Sequence, residues 1–280
     1  MKCSILASGS KGNCIYVGNG TDAVVVDAGI GYLQDVITSC GLSTDNIRAL
    51  CITHEHGDHC QTAPAFLNAL HIPIAGSEGT LRALVNREQI PARTNHLVLH
   101  AGWPCRLGGM EVTSFRAYHD CSEPTGYIID DGDASLAVLL DTNRVSDSML
   151  TLLKTADAAV IESNYSETAL KTDLFPPCPK CRGCGADCRG RRYVLQTYNQ
   201  DLKDRIRYRS HMSNERTADV VRKLRDDVGT IALAHLSENY NRPNLARLAS
   251  EEALGESGCR LFVADQHPLY FEKRMVRFTV

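Results

Sequence analysis

The 280-residue sequence has no run of about eighteen apolar residues, so it offers no membrane-spanning helix. Its opening stretch, MKCSILASGS, is too short and too polar for a secretory signal, and a cytoplasmic location is the expectation. Strong charge of one sign is also missing. The formal net charge of −3 excludes a chain that binds polyanions over its whole surface. SGSKGN at 8–13 lacks the G-x-x-x-x-G-K-[ST] spacing of a triphosphate-binding loop. No G-x-S-x-G elbow is present, which removes the common serine-hydrolase arrangement.

What is present is unevenly spread. The length suits one domain over 1–280 with a small insert. Twelve cysteines in a reducing compartment are not expected to build a disulfide framework. Cys3, Cys14, Cys40, Cys51, Cys60, Cys105, Cys121 and Cys259 read mostly as small buried hydrophobes. The other four are packed into CPKCRGCGADC, at Cys178, Cys181, Cys184 and Cys188. Charge is uneven too. Residues 171–209 hold ten Lys or Arg against four Asp, a surplus of six, so the remainder carries nine net negative charges. That asymmetry points to a local anion-binding surface.

Short apolar runs alternate with helical patterns. CSILA, CIYV and AVVVD read as strands, the last two as a hairpin around GNGT. GYLQDVITSC has helical spacing and stops at Gly41. ALCIT is a strand leading straight into THEHGDH at 53–59. Helices are expected near 61–70 and 78–86, with the strand HIPIA between them. Two strand pairs then turn on Gly-Gly and on Asp-Asp-Gly-Asp, followed by the strand AAVIES. A helix over 214–227 capped by Ser213 or Asn214, the strand TIALAHL, a helix beginning near Pro243 and strands near 260–263 and 269–279 complete the reading. Mixed strands and helices in both halves fit an αββα sandwich. AVVVD and AVLLD hint at a repeated half. Residues 174–199 have no periodicity and a Pro/Gly/Cys bias, the signature of an insert.

His54, His56, Asp58 and His59 fall within six positions at the end of an apolar strand. Two histidines two apart on an extended segment put both rings on one side. Neutral imidazoles with a carboxylate suit Zn, Mn or Fe, and a cation turns crowded, repelling groups into ligands. The competing reading is a solvated polar turn. His71, His96, His100 and His267 lack such a setting and read as structural or surface residues.

H-x-H-x-D-H, here His54-Glu55-His56-Gly57-Asp58-His59, resembles the signature of the metallo-β-lactamase fold, an α/β four-layer sandwich. FRAYHD, AVLLDT and IALAHLS offer His119, Asp141 and His235 at strand ends, in matching order. The resemblance implies that His54, His56 and His119 hold one divalent ion, that Asp58, His59 and His235 hold a second, and that Asp141 bridges them. Two ions leave room for a shared nucleophilic water or hydroxide. Asp27, closing VVVDAG, matches a structural aspartate of the fold. Within the fold, LASGSKGNCIYV, PTGYII, IESN, SHMSNE and LAHLSENYNRP resemble the WalJ/YycJ-type subgroup, regarded as DNA exonuclease-like phosphodiesterases. SHMSN stands where that subgroup has G-H-L-S-N, and the cysteine insert is a departure from it. His211 falls in the interval where ribonuclease Z relatives carry a further histidine in an H-x-x-T motif, although Ser213 comes one position earlier than that Thr; the resemblance implies donation to a phosphate oxygen or leaving group. Asp58 and His211 are the catalytic candidates; Ser10 and Asn13 are candidate substrate contacts.

The C-x2-C-x2-C-x3-C spacing suits one tetrahedral structural Zn, with an iron–sulfur cluster as the alternative. Phe175, Tyr193, Tyr198 and Tyr208 interleave with the basic residues, as in a single-stranded nucleic-acid path, with Arg191 and Arg192 as candidate contacts. The leading expectation is a dinuclear metal phosphodiesterase acting on nucleic acid, specifically a DNA exonuclease. The alternatives are a cyclic-nucleotide-type phosphodiesterase, a thioester or lactone hydrolase using the same hydroxide, and a redox or nucleic-acid-binding protein centred on the four cysteines.

Overall fold

Two short valine- and leucine-rich segments, each closed by an aspartate, organise the architecture. In the computed structural model of the protein, which describes residues 1–173, 200–264 and 275–280, both are central strands of a seven-stranded sheet. In chain order the strands are β1 (Lys2–Ala7), β2 (Cys14–Gly18), β3 (Ala23–Val26), β4 (Ile47–Cys51), β5 (Ile74–Gly76), β6 (His96–Val98) and β7 (Pro104–Leu107). They continue as β8 (Met110–Arg116), β9 (Thr125–Asp130), β10 (Ser135–Leu139), β11 (Ala158–Glu162), β12 (Thr230–Ala234), β13 (Arg260–Val263) and β14 (Val276–Thr279). One sheet runs β14-β1-β2-β3-β4-β5-β6 and the other β13-β12-β11-β10-β9-β8-β7.

The two sheets repeat one local plan. β1, β2 and β3 form an antiparallel meander, and β4, β5 and β6 follow β3 in parallel. β8, β9 and β10 form the second meander, and β11, β12 and β13 follow β10 in parallel. The hinted similarity of AVVVD and AVLLD is therefore a topological equivalence of β3 and β10.

Side-chain alternation sorts each central strand into two cores. Val24 and Val26 of β3 meet Leu136 and Val138 of β10 in the layer between the sheets. Ala23 and Val25 face outward onto Leu33 and Ile37 of α1 (Leu33–Ser39), and onto residues following α2 (Gly57–Cys60), within α3 (Ala63–Leu70) and α4 (Glu78–Asn86). Ala137 and Leu139 face a third core with α5 (Asp147–Leu153). Beyond α6 (Glu167–Thr172) and α7 (Gln200–Arg205), that core is completed by α8 (Asn214–Leu224) and α9 (Pro243–Leu254). The result is the expected αββα layering. Each fully buried valine contributes roughly 1.5–3 kcal/mol, so the central strands anchor both sheets.

Ser213 does cap α8, accepting a hydrogen bond from the Arg216 amide at 3.3 Å. β6, α5, α6 and α7 had no clear signal in the sequence. β6 has three residues, and α5 and α6 have seven and six, too short for a resolved period. Of the expected 269–279 strand, Val276–Thr279 is seen, while 265–274 lies outside the described residues. The insert at 174–199, with its cysteines, also lies outside them. Of the eight other cysteines five are buried, and Cys105, Cys121 and Cys259 are partly buried.

Gly29 locks the loop that carries Asp58. Its amide donates to the Asn13 carbonyl at 2.9 Å, and the Asn13 amide donates to the Asp58 carbonyl at 2.8 Å. A Cβ at Gly29 would lie 1.7 Å from that Asp58 oxygen. Gly29→Ala should therefore destabilise the fold by about 1–3 kcal/mol or more. Urea unfolding at equilibrium checks this; an unchanged midpoint would mean the loop yields freely.

Candidate metal centre

Five strands end beside one cleft, and three of them do so through an unusual backbone. Asp27 after β3, Asp141 after β10 and His235 after β12 have φ of 63°, 28° and 53°. Non-glycine residues avoid this left-handed region, and such strain concentrates at functional sites. The sharp turn brings Asp141 and His235 into a shared cluster at the carboxyl ends of the strands, where ligands of α/β sheets characteristically bind. β4 delivers His54 and His56, and His119 follows β8.

The residues converge as two groups. His54 Nε2 lies 3.0 Å from His56 Nδ1, and His119 Nε2 lies 3.1 Å from the same His56 atom. That nitrogen has one proton or one lone pair and cannot satisfy both neighbours. The other group is Asp58, His59 and His235, with Asp58 Oδ2 at 3.5 Å from His59 Nε2 and 3.3 Å from His235 Nε2. Asp141 stands between them. Its Oδ2 faces His54 Nε2 at 3.7 Å and His119 Nε2 at 3.6 Å. Its Oδ1 faces His59 Nε2 at 3.4 Å and His235 Nδ1 at 3.2 Å. Oδ1 is buried and has no hydrogen-bond partner among the described residues. A carboxylate oxygen so placed fits a cation.

Neighbouring groups aim the rings. His59 Nδ1 meets Asp27 Oδ2 at 2.7 Å, which leaves Nε2 for the cleft. His119 Nδ1 donates to the Ser210 carbonyl at 2.7 Å. His54 Nδ1 meets Thr53 Oγ1 at 3.1 Å. Such partners fix the tautomer of a metal-binding imidazole. Asp27, fully buried and bonded to Thr53, thus has the structural position expected of it.

The electrostatics divide along the same line. Burial holds His54, His56 and His119 below the usual histidine range, so their rings are neutral and ligand-ready. Burial opposes charge on His59 and His235 as well, but nearby carboxylates win. Asp141, Asp27 and Asp58 raise His59 well above its ordinary value. Asp141, Asp58 and Glu162 raise His235 to about 10. Burial likewise works against a charged Asp141, yet His235, His59 and His54 hold its carboxyl far below the usual range. The carboxylates around His59 and His235 thus favour positive charge in this half of the site, which a cation could supply.

His211 joins the rim. Its Nδ1 pairs with Glu162 Oε1 at 2.6 Å, and its ring centre lies 5.3 Å from that of His235. Glu162 is the residue that motif reading missed. Fully buried at the end of β11, it also meets His235 Nδ1 at 3.1 Å and accepts the Met212 amide at 3.0 Å. Burial opposes its charge, but His211 and His235 hold its pKa below the ordinary value. The signal was available: a lone acid ending the apolar strand AAVIE.

A cavity of about 210 Å³ opens over the site, lined in part by Ser10, Asp58, His119, Asp141, His211 and His235. Ser10 is exposed there. Asn13 is not: it is 1% exposed, and its side chain bonds Gly9 and reaches His59 Nε2 at 3.1 Å. The structure puts Asn13 in the wall of the site, a correction that follows from the tight Gly9–Gly12 turn. His71 and His100 are exposed and His96 is partly buried, all away from the cluster. Arg191, Arg192, Cys178, Cys181, Cys184, Cys188 and His267 lie outside the described residues.

Known proteins share this plan. The exodeoxyribonuclease YycJ of Bacillus anthracis is 29% identical over 258 residues, covering 91% of this chain and 89% of that protein. The exodeoxyribonuclease WalJ of Streptococcus pneumoniae is 27% identical over 263 residues, with the same coverages of 91% and 89%. The crystal structure of the metallo-beta-lactamase fold protein YhfI from Bacillus subtilis superposes with a TM-score of 0.67 at 14% identity, over 95% of this chain and 97% of that one. A family model described as a beta-lactamase superfamily domain matches residues 22–235, from the strand before Asp27 to His235. The chain belongs to the beta-lactamase superfamily, with the metallo-β-lactamase fold of metal-dependent hydrolases.

Proposed function

We propose that the protein is a dinuclear metal-dependent phosphodiesterase that hydrolyses nucleic acid, and in particular a DNA exonuclease. The observation that carries the dinuclear reading is Asp141, whose two oxygens face two separate donor groups. Both relatives matched along most of the chain are named exodeoxyribonucleases. The small cavity supports a substrate laid across the cleft over one enclosed by it, since pockets that engulf small ligands run to about 300–1,000 Å³.

In this reading His54, His56 and His119 would hold one ion, Asp58, His59 and His235 would hold the other, and Asp141 would serve both. The donor set of imidazoles and carboxylates suits Zn, Mn or Fe. Two divalent ions supply charge neutralisation for a phosphate and lower the pKa of a bound water. The chain does the rest. Asp58, partly exposed beside His59, orients the attacking water. His211, held by Glu162 through Nδ1, lines the cavity and would hand a proton to the leaving oxygen. Ser10 lies where the substrate strand passes. Cys178, Cys181, Cys184 and Cys188 would hold one structural Zn in the insert, next to Arg191 and Arg192 as strand contacts.

Metal analysis joined to nuclease assays tests this reading. Wild type with Mn or Zn should shorten a DNA oligonucleotide from one end, and Asp141→Ala should lose at least one ion and more than roughly a hundredfold in turnover. Retention of both ions and full turnover by Asp141→Ala would defeat the bridging assignment. Hydrolysis of cyclic nucleotides in place of DNA would turn the reading to a small-molecule enzyme.

Glu162→Gln keeps the shape but not the charge that steadies His211 and His235. Turnover should fall by about 10–100-fold. Steady-state assays with metal in excess read this out, and wild-type kcat would free Glu162 from the role.

A further inference from the structure

Among the described residues that line the cavity, Arg205 is the one lysine or arginine; the acidic groups there are Asp58, Asp120 and Asp141. We propose that Arg205 is a subsite for a second phosphate of the substrate, one that is not the group being cleaved. This rests on the phosphodiesterase reading.

Three observations place Arg205 for that task. First, it is held at the edge of the metal-side cluster. Its Nε donates to Asp120 Oδ2, and Asp120 Oδ1 accepts from Ser210 Oγ at 2.7 Å. The Ser210 carbonyl in turn accepts from His119 Nδ1. Arg205 is therefore tied through two residues to a ring of the site. Second, among the described residues its remaining donors are unused. The side chain is half exposed, at 50%, and Asp120 is its one ionic or hydrogen-bonding partner among the described residues. A guanidinium bound through Nε keeps its Nη edge, whose planar fork matches two phosphate oxygens. Third, α7 is followed by a π-helical turn, Ile206–Ser210, that forms part of the same wall. Such turns recur at functional sites, where they re-aim side chains.

A salt bridge serving only the surface would look similar at the Asp120 end. Exposed pairs of that kind contribute little to stability. It would not require the one arginine or lysine among the described cavity residues to line the cavity. A polynucleotide brings one phosphate for each nucleotide, so a strand anchored at the scissile group presents the next at short range. That second phosphate could be internal to the strand or terminal, and the chemistry of recognition is the same for both.

The test compares a substrate with one phosphate against substrates with several. Arg205→Ala and Arg205→Lys would be assayed on bis(p-nitrophenyl) phosphate and on a DNA oligonucleotide with and without a terminal phosphate. Arg205→Ala should raise KM on the oligonucleotide roughly ten- to hundredfold, with kcat nearly held. Its kcat/KM on bis(p-nitrophenyl) phosphate should stay within about twofold, because that diester has nothing for the subsite to hold. Arg205→Lys keeps the charge without the fork and should fall between the two. A KM effect confined to the phosphorylated end assigns a terminal phosphate; an equal effect on both oligonucleotides assigns an internal one. Equal losses on the oligonucleotide and the simple diester, or no change on either, would overturn the subsite. A wild-type protein inert towards every diester would overturn the phosphodiesterase reading, and the subsite with it.

Discussion

A single buried carboxylate, Asp141, organises the site. Its two oxygens are the meeting point of two imidazole-rich groups that would otherwise crowd one another without compensation. Around one oxygen stand neutral rings, at His54 and His119. Around the other stand rings whose pKa neighbouring carboxylates raise, at His59 and His235. Burying so many ionisable groups in one place is costly. The arrangement makes physical sense when cations take the place of those protons and of the strained nitrogen contacts.

The fold supplies the convergence by repeating a motif rather than by one long loop. β3 and β10 each end a meander, begin a run of parallel strands and close on an aspartate with left-handed backbone. One of these, Asp27, aims His59; the other, Asp141, faces the histidines of both groups. The valine- and leucine-rich strands behind them bury both faces, so the strained turns are held by a rigid core. The same logic continues in the outer partners. Ser210 ties His119 to Asp120, and Glu162 ties His211 to His235. The histidines gathered around Asp141 are thus held from behind by short, charge-assisted links to other residues.

Much of this was legible in the sequence. The H-x-H-x-D-H cluster marked four of the cleft residues, and acids or histidines at the ends of apolar strands marked Asp141 and His235. Those signals are local: a strand end fixes where a side chain emerges. What could not be read is non-local or weakly patterned. Glu162 looked like one acid among many because its partners are 49 and 73 positions away. Arg205 read as part of a basic stretch, and nothing in the spacing shows that Asp120, 85 positions earlier, orients it. Asn13 looked available because its loop is polar, yet backbone bonds to Asp58 and Gly29 pull it inside. Short elements such as β6 and α6 fall below the length at which periodicity speaks.

The most direct test of the central claim is anomalous diffraction from crystals of the protein grown with Mn or Zn, with data collected on either side of the metal's absorption edge. The account predicts two peaks roughly 3.5–4 Å apart, one among His54, His56 and His119, one among Asp58, His59 and His235, with Asp141 touching both. A single peak, or two peaks with Asp141 turned away from them, would contradict it.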